Sequence, residues 1–429
     1  MSKILLIGGV AAVATAFLSQ QPLESKFPKS LDNVITDACT ISKSTAFEVL
    51  EGPNTFSTTP HHHMDAVKIT PAINKTNWEQ WEFDGMSDTG LSSILMGFSR
   101  DYSYHFFGQG NLRVEFYITL GDGTIIQELD YLAESTIIEC PTFIQGIFNS
   151  TKKSYSFHVT KDEKHALLTF DSTRVSGTVK MSSHIPPHFA DGSAYGSKAV
   201  TPDSTILGPS LHYALPIPAA HVEVNATLLN GKRIAFEGRG GHSRLWAKDG
   251  WLSICDGWHG IRANAGPYSI EYWEIMSRLE PRGTKYYAGH LFYNDRLVAS
   301  SQIGEAHERK DYLVFTDVYD GEVRGKLTDK NTGHILEFVS PERDKRWRFN
   351  MQHILKQYEM GVGSGFGLTG FANRVTGGEV GGLQYEGRGN SEQTVWPEYI
   401  AQWKIWVVYG IGFLGNGKHY IMQLAGYLF

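Results

Sequence analysis

A chain of 429 residues is longer than one ordinary hydrophobic core and predicts two domains. Its charge sits slightly on the acidic side, 39 Lys and Arg against 45 Asp and Glu, which excludes the basic footprint of a nucleic-acid-binding protein. With 10 Trp, 20 Tyr, 23 Phe and 45 Gly, the composition points to many strands joined by tight turns rather than to helical bundles.

The first residues, "MSKILLIGGVAAVATAFLSQQP", carry one Lys, an apolar stretch from Ile4 to about Ala16 and a small-x-small site at Ala14-Thr15-Ala16. They predict a secretory signal peptide over residues 1–20, too short for a spanning helix. Sequons at Asn74, Asn149 and Asn225 agree with glycosylation in the secretory pathway. Cys39, Cys140 and Cys255 allow one disulfide and one free thiol, and the sequence leaves the pairing open. His61, His62 and His63 follow "FSTTP" and read as a polar turn; no metal site is assigned, because such a site needs convergent ligands as well as histidines.

Ordered structure is expected to begin at "NWEQWEFDG". Alternation from Trp78 to Asp84 puts Trp78, Gln80, Glu82 and Asp84 on one strand face and Glu79, Trp81 and Phe83 on the other. Comparable runs follow, among them "SSILMGFSRD", "SYSFHVT", "HALLTFD" and "HVEVNATLLNGKRIAFEG". The turns "GDGT" and "LNGKR" signal hairpins, because Asp-Gly and Asn-Gly supply the positive backbone angles these need. Beyond Trp246 the pattern restarts with "DGWLSICDGWHGIRANAGPYSIEYWEIMSR". The restart predicts an all-β chain with one domain over residues 21–250, a second over 251–402 and an apolar tail over 403–429. In that tail the run from Ile405 to Leu414 is shorter than a spanning helix, and it is expected either to cover a barrel end or to touch a membrane surface.

Two segments echo each other, "FEGRGGHSRLW" at residues 236–246 and "YEGRGNSEQTVW" at 385–396. Neither is a phosphate loop, since no helix and no Lys-Ser/Thr pair follows the glycines. Each reads as a strand whose glycines admit a close neighbour. A nucleophile-elbow pattern is also missing, so a hydrolase is unsupported. The polar groups set among aromatics are Glu82 and Asp84 on one strand and, in "WHGIRANAGPY", Trp258, Arg262, Asn264 and Tyr268, which share a parity if the segment stays extended. A largely apolar pocket with a few orienting hydrogen bonds contains such a mixture.

The blocks "WEQWEFDG", "GRGGHSRLW", "GIRANAGPYSIEYWEI" and "GGLQYEGRGN", in this order and spacing from about Cys39 to Asn390, resemble the lipocalin-like pericyclases of fungal secondary metabolism. That family is distantly similar to bacterial carotenoid hydratases. The resemblance implies a two-domain lipocalin-like (calycin) architecture, a β-sandwich followed by a β-barrel, with the substrate pocket between them and no cofactor. It implies a stereoselective [4+2] cycloaddition of an apolar polyketide or terpenoid. The leader and sequons lean towards the secreted branch, which joins a tropolone-derived quinone methide to a humulene-type sesquiterpene by a hetero-Diels–Alder reaction. An intramolecular decalin-forming Diels–Alderase and a terpenoid carrier without catalysis are the alternatives. Gly241, Ser243 and Arg244 replace residues of the hydratase strand and argue against carotenoid-type hydration.

For such chemistry Arg262, Tyr268 and His353 are the catalytic candidates. Asn264 and Lys356 are further donors, with Ile354 standing where the family's basic residue follows the His. Glu82, Asp84 or His353 is the expected general acid for any loss of water. Trp246, Trp258 and Tyr385 complete the expected substrate contacts.

Overall fold

The computed structural model describes residues 38–48, 63–69, 77–102 and 110–398. The expected leader, the Asn74 sequon, His61, His62 and the apolar tail lie outside these residues. Among the described residues no helix is long and apolar enough to cross a membrane.

Strict alternation shows plainly in two neighbouring strands of the first half. The strands Ser154–Thr160 and His165–Asp171 bury every second residue, as a sheet with one wet face requires. Fourteen strands from Thr40 to Ala247 join into one antiparallel sheet, with Thr40–Thr45 at one edge and Ile125–Tyr131 at the other. The expected sandwich therefore takes the form of a single sheet curled on itself. Its inner face holds Trp81, Phe83, Phe98, Phe116, Phe148 and Phe157, all essentially free of water. Polar bonds draw the curl together: the Tyr155 hydroxyl donates to Asp130 on the edge strand at 2.5 Å, and Arg100 donates to Ser42 and Ser135.

A short helix, Trp251–Ile254, leads from this sheet into a second one of nine strands, Cys255–Ala265 to Tyr385–Val395. This sheet nearly closes into a barrel. Its two edge segments meet through the Leu313 N–H, which donates to the Ile303 carbonyl at 2.8 Å. Tyr272, Leu291, Leu313, Leu336, Phe349 and Val375 fill the barrel interior.

Several strands depart from alternation, and two of them lie where the halves meet. Trp78–Ser87 and Tyr268–Ser277 are buried on nearly every residue, because one face lies on its own core and the other against the opposite half. A ladder of indoles lines the junction: Trp78 stacks on Trp251 at 4.3 Å, Trp251 meets Trp258 at 4.6 Å, and Trp258 meets Trp396 at 5.4 Å. Each aromatic pair adds about 0.5–1.5 kcal/mol beyond its buried area.

The open cysteine pairing resolves as Cys39 with Cys140, while Cys255 is a buried free thiol. Asn225 is exposed, on Leu211–Leu228. Asn149 is only 3% exposed and its side-chain oxygen accepts from Ser154 at 2.7 Å, so this sequon sits on a mostly buried strand position. The sequon records residue types and is blind to which face of a strand turns inward.

Candidate functional site

Residue parity carries Glu82 and Asp84 from Trp78–Ser87 towards the second half, while Trp81 and Phe83 face the first core. Opposite them, Cys255–Ala265 presents Arg262. Its guanidinium donates to Asp84, to Glu271 Oε1 at 2.5 Å and to Ser243 Oγ at 2.8 Å. One cation thus clamps both halves of the molecule. Asn390 adds a bond to Asp84 at 3.2 Å, and Gln357 donates to Asn390 at 2.8 Å.

Beside the clamp lies a slot of about 50 Å³. Ile94, Leu95, Ile261 and Trp273 form its apolar walls, and Tyr117 stacks on Tyr358 at 4.4 Å. Glu392 closes one side. It accepts from Trp258 Nε1 at 2.5 Å and from the Tyr358 hydroxyl at 2.6 Å.

The carboxyl groups here outnumber the cations. Burial pushes Glu82 well above its ordinary range, and the neighbouring charges of Glu392 and Asp84 push in the same direction. Burial therefore favours the protonated carboxyl of Glu82, the form that can donate a hydrogen bond. Burial raises Glu392 to about 7 against the pull of Tyr358 and Trp258, and raises Glu271 to about 8 despite Arg262. Burial works against the charge of Arg262 as well, but Asp84 and Glu271 outweigh it and hold the guanidinium firmly protonated.

A stability prediction follows from Glu392. Its folded value lies above the unfolded one, so its stabilising contribution is complete below about pH 4.5 and is lost as pH rises through about 7. Denaturant titrations at pH 5.5 and 8.5 are expected to show the wild-type protein losing stability over this interval, and Glu392→Gln losing less. Equal slopes for the two proteins would contradict the assignment.

A wider vestibule of about 430 Å³ adjoins the slot and shares Asp84, Arg262 and Asn390 with it. Both echoing segments line this space, Arg239 and Gly240 from the first and Glu386 to Gly389 from the second. A Cβ on Gly240 would overlap the Asp84 carbonyl oxygen, and one on Gly387 would overlap the Asn264 carbonyl oxygen. The glycines let each neighbouring strand press close, and those strands carry the two ends of the Arg262–Asp84 clamp.

The other sequence candidates divide. Trp258 holds Glu392 and belongs to the junction ladder, and Asn264 lines the vestibule. Tyr268 is a correction: Gly266 and Pro267 turn the chain, so Tyr268 starts the next strand opposite Ala265 and packs in the barrel core against Phe349 and Tyr385. The expected single parity ended at that turn. Trp246 stacks on His212 in a separate apolar cluster and is absent from the slot and vestibule walls. Lys356 pairs with Glu359 at 2.8 Å. His353 sits inside the barrel, stacked on Phe371 at 3.8 Å with Nε2 facing His334 at 3.4 Å, and burial keeps it neutral. Sequence reasoning missed Glu271, Ser243, Asn390, Glu392, Tyr117 and Tyr358, which reach the site only through the packing of distant strands.

His63 is buried, in contrast to the polar turn expected for it. It stands with Asp65 and Glu163 in a group whose ligand atoms lie within 4.8 Å of one another. This group carries its own cations. The Lys68 ammonium donates to the His63 carbonyl at 3.1 Å, and Arg244 pairs with Glu79 and lies 3.7 Å from Asp65. His242 contacts the Glu82 carbonyl with one nitrogen and Asp65 with the other.

The Diels-Alderase-like family model matches residues 36–397. The chain is 60% identical over 423 residues to the hexane cyclase pydB of Acremonium sp, covering 99% of this chain and 98% of that protein. It is 46% identical over 424 residues to the Diels-Alderase mycB of Thermothelomyces thermophilus, with 96% of each chain covered. The crystal structure of CghA with Sch210972 has the same fold, with a TM-score of 0.75 at 21% identity over 84% of this chain and 100% of that one.

Proposed function

We infer the reaction from one premise: the chain belongs to the Diels-Alderase-like family and is a pericyclase. The reading we propose is an intramolecular [4+2] cycloaddition that closes a cyclohexene ring on a polyene with a carbonyl-conjugated alkene. The slot carries this reading. Its aromatic and aliphatic walls can fold one slender apolar chain, and the neutral carboxyl of Glu82 can donate to the carbonyl oxygen of the electron-poor alkene. Holding diene and dienophile at near-attack distance lowers such a barrier by roughly 7–11 kcal/mol at the favourable limit. A donor on the carbonyl adds to this by stabilising charge that grows in the transition state. The reaction needs no outside reactant, since three π bonds become two σ bonds and one π bond.

The names of the relatives at 60% and 46% identity, a hexane cyclase and a Diels-Alderase, support the carbocyclic reaction over the hetero-Diels–Alder union of a tropolone quinone methide with a humulene. For the cellular site we propose the secretory pathway, supported by the leader sequence, the Cys39–Cys140 bridge and the exposed Asn225 sequon.

The test offers the purified protein a linear polyene ketone and, separately, a quinone-methide precursor with humulene. The expected result is one stereoisomer of the cyclised polyene, formed faster than without protein, and no gain with the second mixture. Acceleration of the second mixture alone would establish the hetero reaction instead. Tight binding of both without altered products would leave a carrier.

A further inference from the structure

We propose that Tyr117 is a catalytic hydrogen-bond donor whose phenol O–H holds the carbonyl oxygen of the electron-poor alkene, an inference that rests on the cycloaddition reading above. Tyr117 lines the slot and is 2% exposed. Its hydroxyl has no hydrogen-bond partner, and among the described residues it is the one slot-lining side chain with an orphaned buried polar atom. Leaving a buried donor unpaired costs folding stability, and natural structures rarely do so without cause. A substrate acceptor entering the slot supplies the missing partner.

The ring is held ready for that task. It stacks on Tyr358 with 17° between planes, and Tyr358 is fixed in turn by its 2.6 Å bond to Glu392. Two residues along the strand, the Thr119 hydroxyl donates to the Gln357 carbonyl at 3.1 Å and ties the strand to the second half. A donor fixed in advance spends nothing on reorganisation when charge grows on the carbonyl. Burial, reinforced by Glu115 and Glu392, keeps the phenol protonated far above its ordinary range. The proton stays on Tyr117 throughout, because the cycloaddition only redistributes π electrons.

Tyr117→Phe removes one oxygen and keeps the stack. With the polyene ketone that the wild-type protein cyclises, kcat is expected to fall roughly tenfold with a much smaller change in KM. The thermal midpoint is expected to hold or rise, because the orphaned group is gone. The carbonyl stretch of a bound, unreactive ketone product is expected at lower frequency in the wild-type protein than in the variant. Wild-type kcat and carbonyl frequency in Tyr117→Phe would overturn the donor role while leaving the cycloaddition intact. A fall in kcat together with a lowered midpoint and an unchanged carbonyl frequency would overturn it too, in favour of packing. No acceleration by the wild-type protein would overturn both readings.

Discussion

Replacing Arg262 by Met is expected to destabilise the protein by about 3–5 kcal/mol at pH 8, the cost of removing one partner from a buried ionic cluster. Met fills much of the same volume, so the loss comes from charge. Asp84 and Glu271 are left facing each other without their cation, and Ser243 loses its donor. The deficit has a pH signature. Both carboxyls already sit above their ordinary range through burial, and removing the guanidinium raises them further. Each then carries a proton at low pH, and the deficit shrinks as pH falls towards 5. Adding Glu271→Gln to Arg262→Met is expected to recover part of the loss at pH 8. Because the clamp joins the two halves along the slot, cycloaddition is expected to fall by at least tenfold in the single variant, even at pH 5 where it remains folded. Urea melts and rates measured on the same samples at both pH values decide the matter; stability lost equally at pH 5 and pH 8 would point to packing rather than charge.

The fold was legible because its signals are local. Alternation in "SYSFHVT" and "HALLTFD" needs no knowledge of the rest of the chain, and Gly123 and Gly231 in the two hairpin turns take the positive φ that their Asp-Gly and Asn-Gly pairs foretell. Within the site, parity correctly set Glu82 and Asp84 on one face and placed Arg262 with Trp258. It failed at Tyr268, where a two-residue turn reverses the strand direction. Long-range pairing was out of reach. Asp84 and Arg262 are 178 positions apart, and Trp258 and Glu392 are 134 apart, with nothing in either segment naming the other. Glu392 lies within the second echoing segment, yet its role appears only when Trp258 and Tyr358 are seen to converge on it. A lone histidine such as His353, or a lysine such as Lys356, likewise reveals its partner only in three dimensions.

The echo of the two glycine segments leads to the second large effect. Gly240→Val and Gly387→Val are each expected to cost about 3 kcal/mol or more, at the upper end for overpacking, because the new side chain meets backbone that cannot swing aside. At Gly240 the obstacle is the Asp84 carbonyl; at Gly387 it is the Asn264 carbonyl, two residues from Arg262. One substitution therefore pushes away the acidic end of the clamp and the other its basic end. Different domains, the same lesion: both variants are expected to lose cycloaddition before they lose global folding, with near-native far-UV circular dichroism and weakened Trp258–Trp396 packing seen by fluorescence. Gly231→Val makes a sharp control, since that glycine meets nothing within 4 Å. Its φ of 82° lets a side chain strain only the hairpin turn, so stability falls while the clamp and the reaction survive. If Gly240→Val and Gly387→Val instead match the control in activity, the glycines shape ordinary strand packing and the clamp tolerates movement of both strands.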